Sequence, residues 1–213
     1  MDFKGRGHGR EGQGKGTDAF LRLLGRGDPV VLLEGTRNLP EGDREALVRL
    51  AQKLAARYPR ARFRTGNAAG TDEAFARGVA KVDPGRLEFV LPYRTLGKAR
   101  IPRESTVFSL EDIQGEEWDE VCRQTREASP GIASLVDFYL KVGPRSRAVK
   151  AAYLLRDALK VVGARSLGLD PASIGFFYVD AEKPLSGGTG HTVRLCRQNR
   201  VPVVDQGSWM GWA

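Results

Sequence analysis

The chain has 213 residues, of which 41% are hydrophobic, so it can bury one substantial core and a single domain is the expected organisation. No apolar run approaches the length that spans a bilayer, and the N-terminus does not resemble a secretory signal, so we expect no membrane segment and a cytoplasmic location. A formal net charge of +8 favours polyanionic partners, either free nucleotides or nucleic acid.

Residues 1–16 are rich in glycine and basic side chains and contain almost nothing apolar, which predicts a flexible tail ahead of a single domain over residues 17–213. The tail is either an arm that touches nucleic acid or phosphate, or a terminus without a role. Cys122 and Cys196 are predicted to be small buried side chains. Neither histidine has a partner at metal-ligand spacing, so we predict no metal site.

The first half of the domain repeats a pattern of strand, glycine turn and helix. The apolar run Val30–Leu33 predicts a buried strand, and residues 43–58 have the apolar spacing of a helix. Residues 61–65 predict a second strand, followed by small residues and another helix that Thr71 or Asp72 is placed to cap.

The regular alternation stops after a third predicted strand, Leu87–Leu91. Residues 93–109 carry several basic side chains without periodicity and are predicted to be a loop. Residues 110–126 and 132–142 follow as two predicted helices. We therefore expect a mainly helical insertion at about 93–143.

The alternation resumes in the last third of the chain. Residues 147–162 predict a helix, and residues 174–204 read as strand, glycine loop, helix and strand, the size of one βαβ unit. Thr189 or Thr192 is placed to cap the helix. Two tryptophans near the C-terminus are expected to dock on the fold or on a partner subunit. The whole pattern predicts an α/β protein with a Rossmann-like open, mostly parallel sheet and helices on both faces.

Three predicted strands end in glycine turns, and in a parallel sheet such turns lie along one edge. Glycines let the backbone approach a ligand, and the first amides of a following helix attract anions. We therefore predict that the turns bind a phosphate group, the alternative being three structural turns without a ligand. The predicted ligand-binding residues in the turns are Gly35, Thr36, Arg37, Gly66, Asn67, Ala68, Ala69, Gly70, Thr71, Ser186, Gly187, Gly188, Thr189, Gly190 and Thr192.

None of the turns has the GxGxxG or GxxxxGK[ST] spacing, which argues against a standard dinucleotide dehydrogenase or a P-loop NTPase. Few side chains are candidates for catalysis. His191 has an imidazole that titrates near neutral pH, and Glu34 or Asp72 is a candidate base. Each also has a structural alternative, such as helix capping for Asp72 and a hydrogen bond to phosphate for His191.

Together these motifs resemble the SLOG superfamily, the Rossmann-like group that includes the Smf/DprA DNA-processing proteins and the LOG phosphoribohydrolases. The resemblance covers roughly residues 29–205 and rests on the three turns and on Arg156-Asp157, which is similar to the arginine before the family's fourth strand. It implies a pocket for a nucleotide or nucleotide-derived molecule, with Arg156 among the ligand-binding residues, and dimers as one form of the protein.

The sequence departs from both branches of the family. The LOG enzymes resemble one another in the motif PGGxGTxxE. In this chain Ser186, His191 and Arg194 stand at its proline, threonine and glutamate positions, so the carboxylate that supports glycosidic cleavage in those enzymes is missing. Likeness to Smf/DprA is greatest at residues 65–72.

The leading hypothesis is a protein that binds or senses a nucleotide-type ligand and requires no cofactor. The alternatives are a DprA-like DNA-binding protein and an enzyme that hydrolyses a nucleotide bond.

Overall fold

The computed structural model describes residues 22–143 and 149–212, so the expectations for the tail, residues 1–16, lie outside the described residues. The described strands form one six-stranded sheet in which all pairings are parallel. They are β1 (Val30–Gly35), β2 (Arg62–Thr65), β3 (Leu87–Leu91), β4 (Thr106–Ser109), β5 (Ile174–Tyr178) and β6 (Val203–Asp205).

The order of the strands across the sheet is β4-β3-β2-β1-β5-β6. The chain builds outward from β1 to β4 and then returns to the other side of β1 for β5 and β6. The reversal between β1 and β5 is a topological switch point, and open α/β sheets bind ligands in the crevice outside the carboxyl ends of the strands at such a point. The sheet confirms the predicted Rossmann-like α/β fold.

Helices cover both faces of the sheet, and their bounds are α1 (Glu41–Arg57), α2 (Thr71–Ala80), α3 (Gly115–Ala128), α4 (Ala133–Val142), α5 (Val149–Val162), α6 (Gly187–Gln198) and α7 (Gln206–Trp209). Because neighbouring residues of a strand point to opposite faces, β1 contributes to two separate cores. Val31 and Leu33 pack with residues of α1 and α2, and Leu32 packs with residues of α3, α5 and α6. Both predicted buried cysteines belong to the second core.

Residues 93–109 differ from the sequence prediction, which read them as a loop. Their last four residues form β4, which pairs in parallel with β3 at the edge of the sheet. The strand is short, and Thr106 and Val107 are exposed, so it lacks the apolar run that marks the other strands. Part of the expected insertion therefore belongs to the sheet.

The C-terminal aromatic segment docks on the first core. Trp209 is fully buried and donates its indole N–H to the carbonyl oxygen of Phe177 in β5 (2.9 Å). Trp212 packs edge-on against Phe176. Docking on the fold, one of the two expected roles, is therefore confirmed for both side chains. Within residues 22–143 and 149–212, no helix combines the length and the apolar composition that a membrane crossing requires.

Candidate functional site

A cavity of about 560 Å³ opens at the carboxyl ends of β1 and β5, at the switch point of the sheet. Its walls come from the turns after β1 and β2, from one side of α5, and from the loop and first turn of α6. Its lining includes Glu34, Gly35, Thr36, Arg37, Ala68, Asp72, Lys150, Tyr153, Arg156, Asp157, Lys160, Asp180, Lys183, Ser186, Gly187, Gly188 and Thr189.

Charged side chains form the floor of the cavity. Glu34 at the end of β1 contacts the ammonium group of Lys160, which also lies 2.8 Å from an oxygen of Asp157. The same oxygen of Asp157 lies 3.0 Å from Nε of Arg156. All four residues are at least nine-tenths buried. Buried ions require partners, so this cluster holds α5 in register against β1.

The two carboxylates in contact with Lys160 have different affinities for a proton. Burial raises the pKa of Glu34 to about 7, and the negative charges of Asp157 and Asp72 act in the same direction. Burial also pushes the pKa of Asp157 upward, but the charges of Lys160 and Arg156 outweigh it and hold that pKa below its usual value. Asp157 therefore stays ionised at neutral pH, where Glu34 titrates.

The turn after β1 is held by the main chain and by Thr71. The amide of Thr36 donates to the carbonyl oxygen of Tyr178. The carbonyl oxygen of Thr36 accepts a hydrogen bond from the Thr71 hydroxyl (2.8 Å). Gly35 has no room for a side chain, because a Cβ there would overlap the carbonyl oxygen of Tyr178. The exposed Arg37 guanidinium lies 5.4 Å from the ring centroid of Tyr153.

Backbone amides of the turn after β2 donate hydrogen bonds to a side chain of the protein itself. The carboxylate of Asp72 accepts hydrogen bonds from the backbone N–H groups of Gly66 and Ala68, each at 3.2 Å. Arg156 donates to the carbonyl oxygen of Gly66 (2.5 Å) and more weakly to that of Val90. The expected helix caps are wrong here, because the N-cap of α2 is Gly70, whereas Thr71 donates to Thr36 and Asp72 accepts from the turn. The negative group in this turn is the protein's own carboxylate.

The turn before α6 has a different arrangement. Ser186 is the N-cap and makes no capping hydrogen bond with its side chain, and Gly187 and Gly188 are exposed in the first helical turn. The expected threonine cap is also wrong, since the Thr192 hydroxyl donates to the carbonyl oxygen of Gly188 instead. The N-terminal amides and the positive end of the helix dipole thus face the cavity, an arrangement that suits an anion.

His191 lies on the buried side of α6, outside the cavity lining. Its Nε2 is 3.2 Å from the carbonyl oxygen of Leu154, and its Nδ1 is 2.8 Å from the hydroxyl oxygen of Ser129. Arg194 donates to the same hydroxyl oxygen, which leaves the Ser129 proton for Nδ1. Burial lowers the pKa of His191, so the ring is neutral. This placement gives His191 a structural role between α5 and α6.

The cavity brings together only part of the expected site. Eleven predicted residues line it: Glu34, Gly35, Thr36, Arg37, Ala68, Asp72, Arg156, Ser186, Gly187, Gly188 and Thr189. The remaining ones lie outside the lining: Gly66, Asn67, Ala69, Gly70, Thr71, Gly190, His191 and Thr192. Their assignment as ligand-binding or catalytic residues stays a prediction, as it does for the residues in the lining.

Sequence reasoning missed Tyr153 and Lys160, which line the cavity from α5. The available signal was their spacing, because Tyr153, Arg156 and Lys160 recur at intervals of three and four on a helix whose buried positions are mostly apolar. Side chains at that spacing share one face of a helix. Polar side chains on a buried face indicate a site or a buried ion cluster.

No protein-family model matches the chain, and no curated protein matches it. Among solved structures, DNA processing protein A from Helicobacter pylori, described for its single-stranded DNA binding mode, is 14% identical with a TM-score of 0.46. The match covers 86% of this chain and 67% of that one. At these values the likeness concerns the course of the chain and assigns no function, so the resemblance to the SLOG superfamily stays an expectation drawn from the motifs.

Proposed function

We propose that the cavity binds a nucleotide or a nucleotide-derived molecule, with a phosphate group at the N-terminus of α6. The observation that supports this most directly is that the uncapped, glycine-built first turn of α6 and the exposed Arg37 border one cavity at the switch point. In open α/β proteins this crevice is the usual place for a ligand. The volume of about 560 Å³ falls within the range of small-molecule sites.

Positive charge at the rim suits the phosphate end of such a ligand. Arg37, Lys150 and Lys183 are exposed and line the cavity mouth. The carboxylate of Asp180, which also lines it, accepts hydrogen bonds from the backbone N–H groups of Glu182 and Lys183 and so shapes the loop. A guanidinium group matches two phosphate oxygens at once, which makes Arg37 the natural partner of a phosphate held by the helix amides.

The nucleobase of the ligand is expected to stack on the ring of Tyr153. That ring is partly exposed, lines the cavity, and has the guanidinium groups of Arg37 and Arg156 within 5.4 and 5.6 Å of its centroid. A ring that already attracts planar cations offers a face on which a planar base stacks. When Arg37 turns toward a phosphate, that part of the ring becomes available.

A second candidate function is binding of single-stranded nucleic acid along the same edge. The net charge of +8 favours a polyanion. Arg100 also donates to the carbonyl oxygen of Asn67 (3.4 Å), which places the basic segment around Lys98 against the turn after β2. Phosphates of a strand lying across the rim would meet these cations as well as Arg37.

Hydrolysis of a bound nucleotide is the third candidate. Of the three side chains considered for acid–base chemistry, Glu34 is the one that lines the cavity with a pKa near neutral. Asp72 is held by two backbone amides, and His191 by Ser129 and Leu154. Turnover of AMP or ADP-ribose that disappears in Glu34→Gln while binding remains would favour this candidate.

The binding proposal is tested by thermal unfolding with AMP and ADP-ribose. At about 100 times the dissociation constant, a ligand of the native state adds about 2.7 kcal/mol and raises the midpoint by roughly 5–10 °C. Gly188→Val should weaken binding at least about tenfold, because its side chain would cover the first amides of α6. Gly188 has open space beside it, its nearest neighbour to an added Cβ being Asp157 at 3.4 Å, so the variant should fold.

The matched control is Gly42→Val, in the first turn of α1, where an added Cβ meets nothing within 4 Å. This variant should bind both nucleotides like the wild type. Equal affinity in Gly188→Val and in the wild type would remove the phosphate role of α6. Single-stranded DNA that binds with a steep dependence on salt, together with no effect of either nucleotide, would favour the nucleic-acid candidate instead.

A further inference from the structure

The floor of the cavity and Asp72 beside it together hold more acidic than basic groups. Three carboxylates, Glu34, Asp72 and Asp157, face two cations, Arg156 and Lys160, and each of the five residues is at most 5% exposed. A buried cluster with an unbalanced negative charge is costly, and binding a proton is the simplest way to balance it.

The contacts show which carboxylate is the least compensated. Asp157 lies within 3.0 Å of both Arg156 and Lys160. Asp72 is held by two backbone amides. Of the two cations on the floor, Glu34 contacts Lys160, and it shares that ammonium group with Asp157.

The surroundings of Glu34 agree with this ranking. The charged and titratable groups that act on it or lie close to it come from three helices: Asp72 on α2, Arg156, Asp157 and Lys160 on α5, and Cys196 on α6. Its register partner in β5 is the apolar Phe177. Burial and the neighbouring carboxylates raise the pKa of Glu34 to about 7, in the range where a small change in its surroundings alters its charge.

We propose that Glu34 is a proton-binding site coupled to the ligand site, so that an anionic ligand at the N-terminus of α6 is bound together with a proton on Glu34. The inference rests on the proposed function of the same cavity. An anion placed above the floor adds negative charge near Glu34 and favours its neutral form, and by linkage the neutral form favours the anion. The protonated carboxyl also becomes a hydrogen-bond donor toward the cavity.

The test is calorimetric binding of ADP-ribose, whose two phosphates each carry one ester and one anhydride bond and keep a constant charge near neutral pH. In buffers of different ionisation enthalpy at about pH 7, the wild type should take up a fraction of a proton on binding. If the ligand raises the pKa of Glu34 by about one unit from about 7, the affinity should fall about fivefold between about pH 6 and about pH 8.

Glu34→Gln should bind ADP-ribose without proton uptake and with a flat pH profile. Glu41→Gln is the matched control, because Glu41 is an exposed glutamate at the start of α1 outside the cavity lining. It should keep the proton uptake and the pH profile of the wild type. Measurable binding of ADP-ribose by the wild type without proton uptake would overturn the inference and leave the proposed function intact.

Absence of any binding by the wild type would instead refute the proposed function and the coupling with it. A measurement without ligand then still decides whether the floor holds a proton. Because the native state keeps the proton that the unfolded chain loses above about pH 4.5, the stability of the wild type relative to Glu34→Gln should fall between about pH 5 and about pH 7. A constant difference in urea midpoint over that range would show that Glu34 does not titrate there.

Discussion

The turn after β2 and the turn before α6 are both rich in glycine, but they differ in what their backbone amides contact. In the first, the N–H groups of Gly66 and Ala68 are bonded to the carboxylate of Asp72. In the second, Ser186 provides no side-chain cap, and the first amides of α6 face the cavity. A glycine turn is suited to bind phosphate only where the chain has not already supplied an anion of its own.

The glycines of the two turns also differ in what surrounds them. Gly70 has φ of +82°, and a Cβ there would overlap the backbone of Arg37. Gly187 has φ of +60°, but an added Cβ would meet nothing within 4 Å. The first turn packs against the turn after β1, whereas the second borders open space. Substitutions should therefore affect stability in the first turn and the proposed ligand binding in the second.

The largest effect is expected for Gly70→Ala. The substitution combines a left-handed backbone conformation with a backbone overlap that no side-chain movement relieves. We expect a loss of about 3 kcal/mol or more in the free energy of unfolding, measured by urea denaturation. A loss below about 1 kcal/mol would mean that the turn after β2 is as open as the turn before α6.

Asp72→Ala should cost less, about 2 kcal/mol, because two amides in the turn lose their acceptor. Asp72→Asn is the matched variant, since the amide oxygen still accepts and the loss should be about 1 kcal/mol or less. Chemical denaturation of both proteins measures the difference. Equal stability of Asp72→Ala and the wild type would contradict the assignment of Asp72 as the internal anion of this turn.

Gly187→Ala should have the smallest effect on stability. Only the left-handed backbone conformation opposes the substitution, which corresponds to about 1 kcal/mol. The variant should unfold at a slightly lower urea concentration and remain fully folded at room temperature. A destabilisation as large as that of Gly70→Ala would show that the turn before α6 is packed rather than open.

Most of the sheet could be predicted from the sequence, because most buried positions of the strands are apolar. The expected strand Leu87–Leu91 has the same bounds in the structure, and Val30–Leu33 extends by two residues to Gly35. The edge strand β4 could not be predicted, since residues 106–109 are partly exposed and lack an apolar run. A strand that is buried on two faces leaves an apolar run in the sequence, and a short, partly exposed edge strand does not.

The candidate site was predictable in position but not in detail. The glycine turns indicated which strand ends border a cavity. However, Asp72 has two possible roles in the sequence, helix cap or acceptor for the turn, and only the distances to Gly66 and Ala68 decide between them. The sharing of Lys160 by Glu34 and Asp157 joins residues more than 120 positions apart in the chain, which no local pattern contains.

An amide side chain ties the C-terminal segment to the start of the loop at the cavity mouth. Gln206 bonds to both the N–H and the carbonyl oxygen of Val179, at 2.9 and 2.8 Å, as a neighbouring strand would. Val179 is the last residue before the loop that carries Lys183 and leads into α6. Strain applied to the C-terminal segment, for example by a rigid fusion, would therefore be transmitted through Val179 to the loop at the cavity mouth and alter release of the proposed ligand without touching a lining residue.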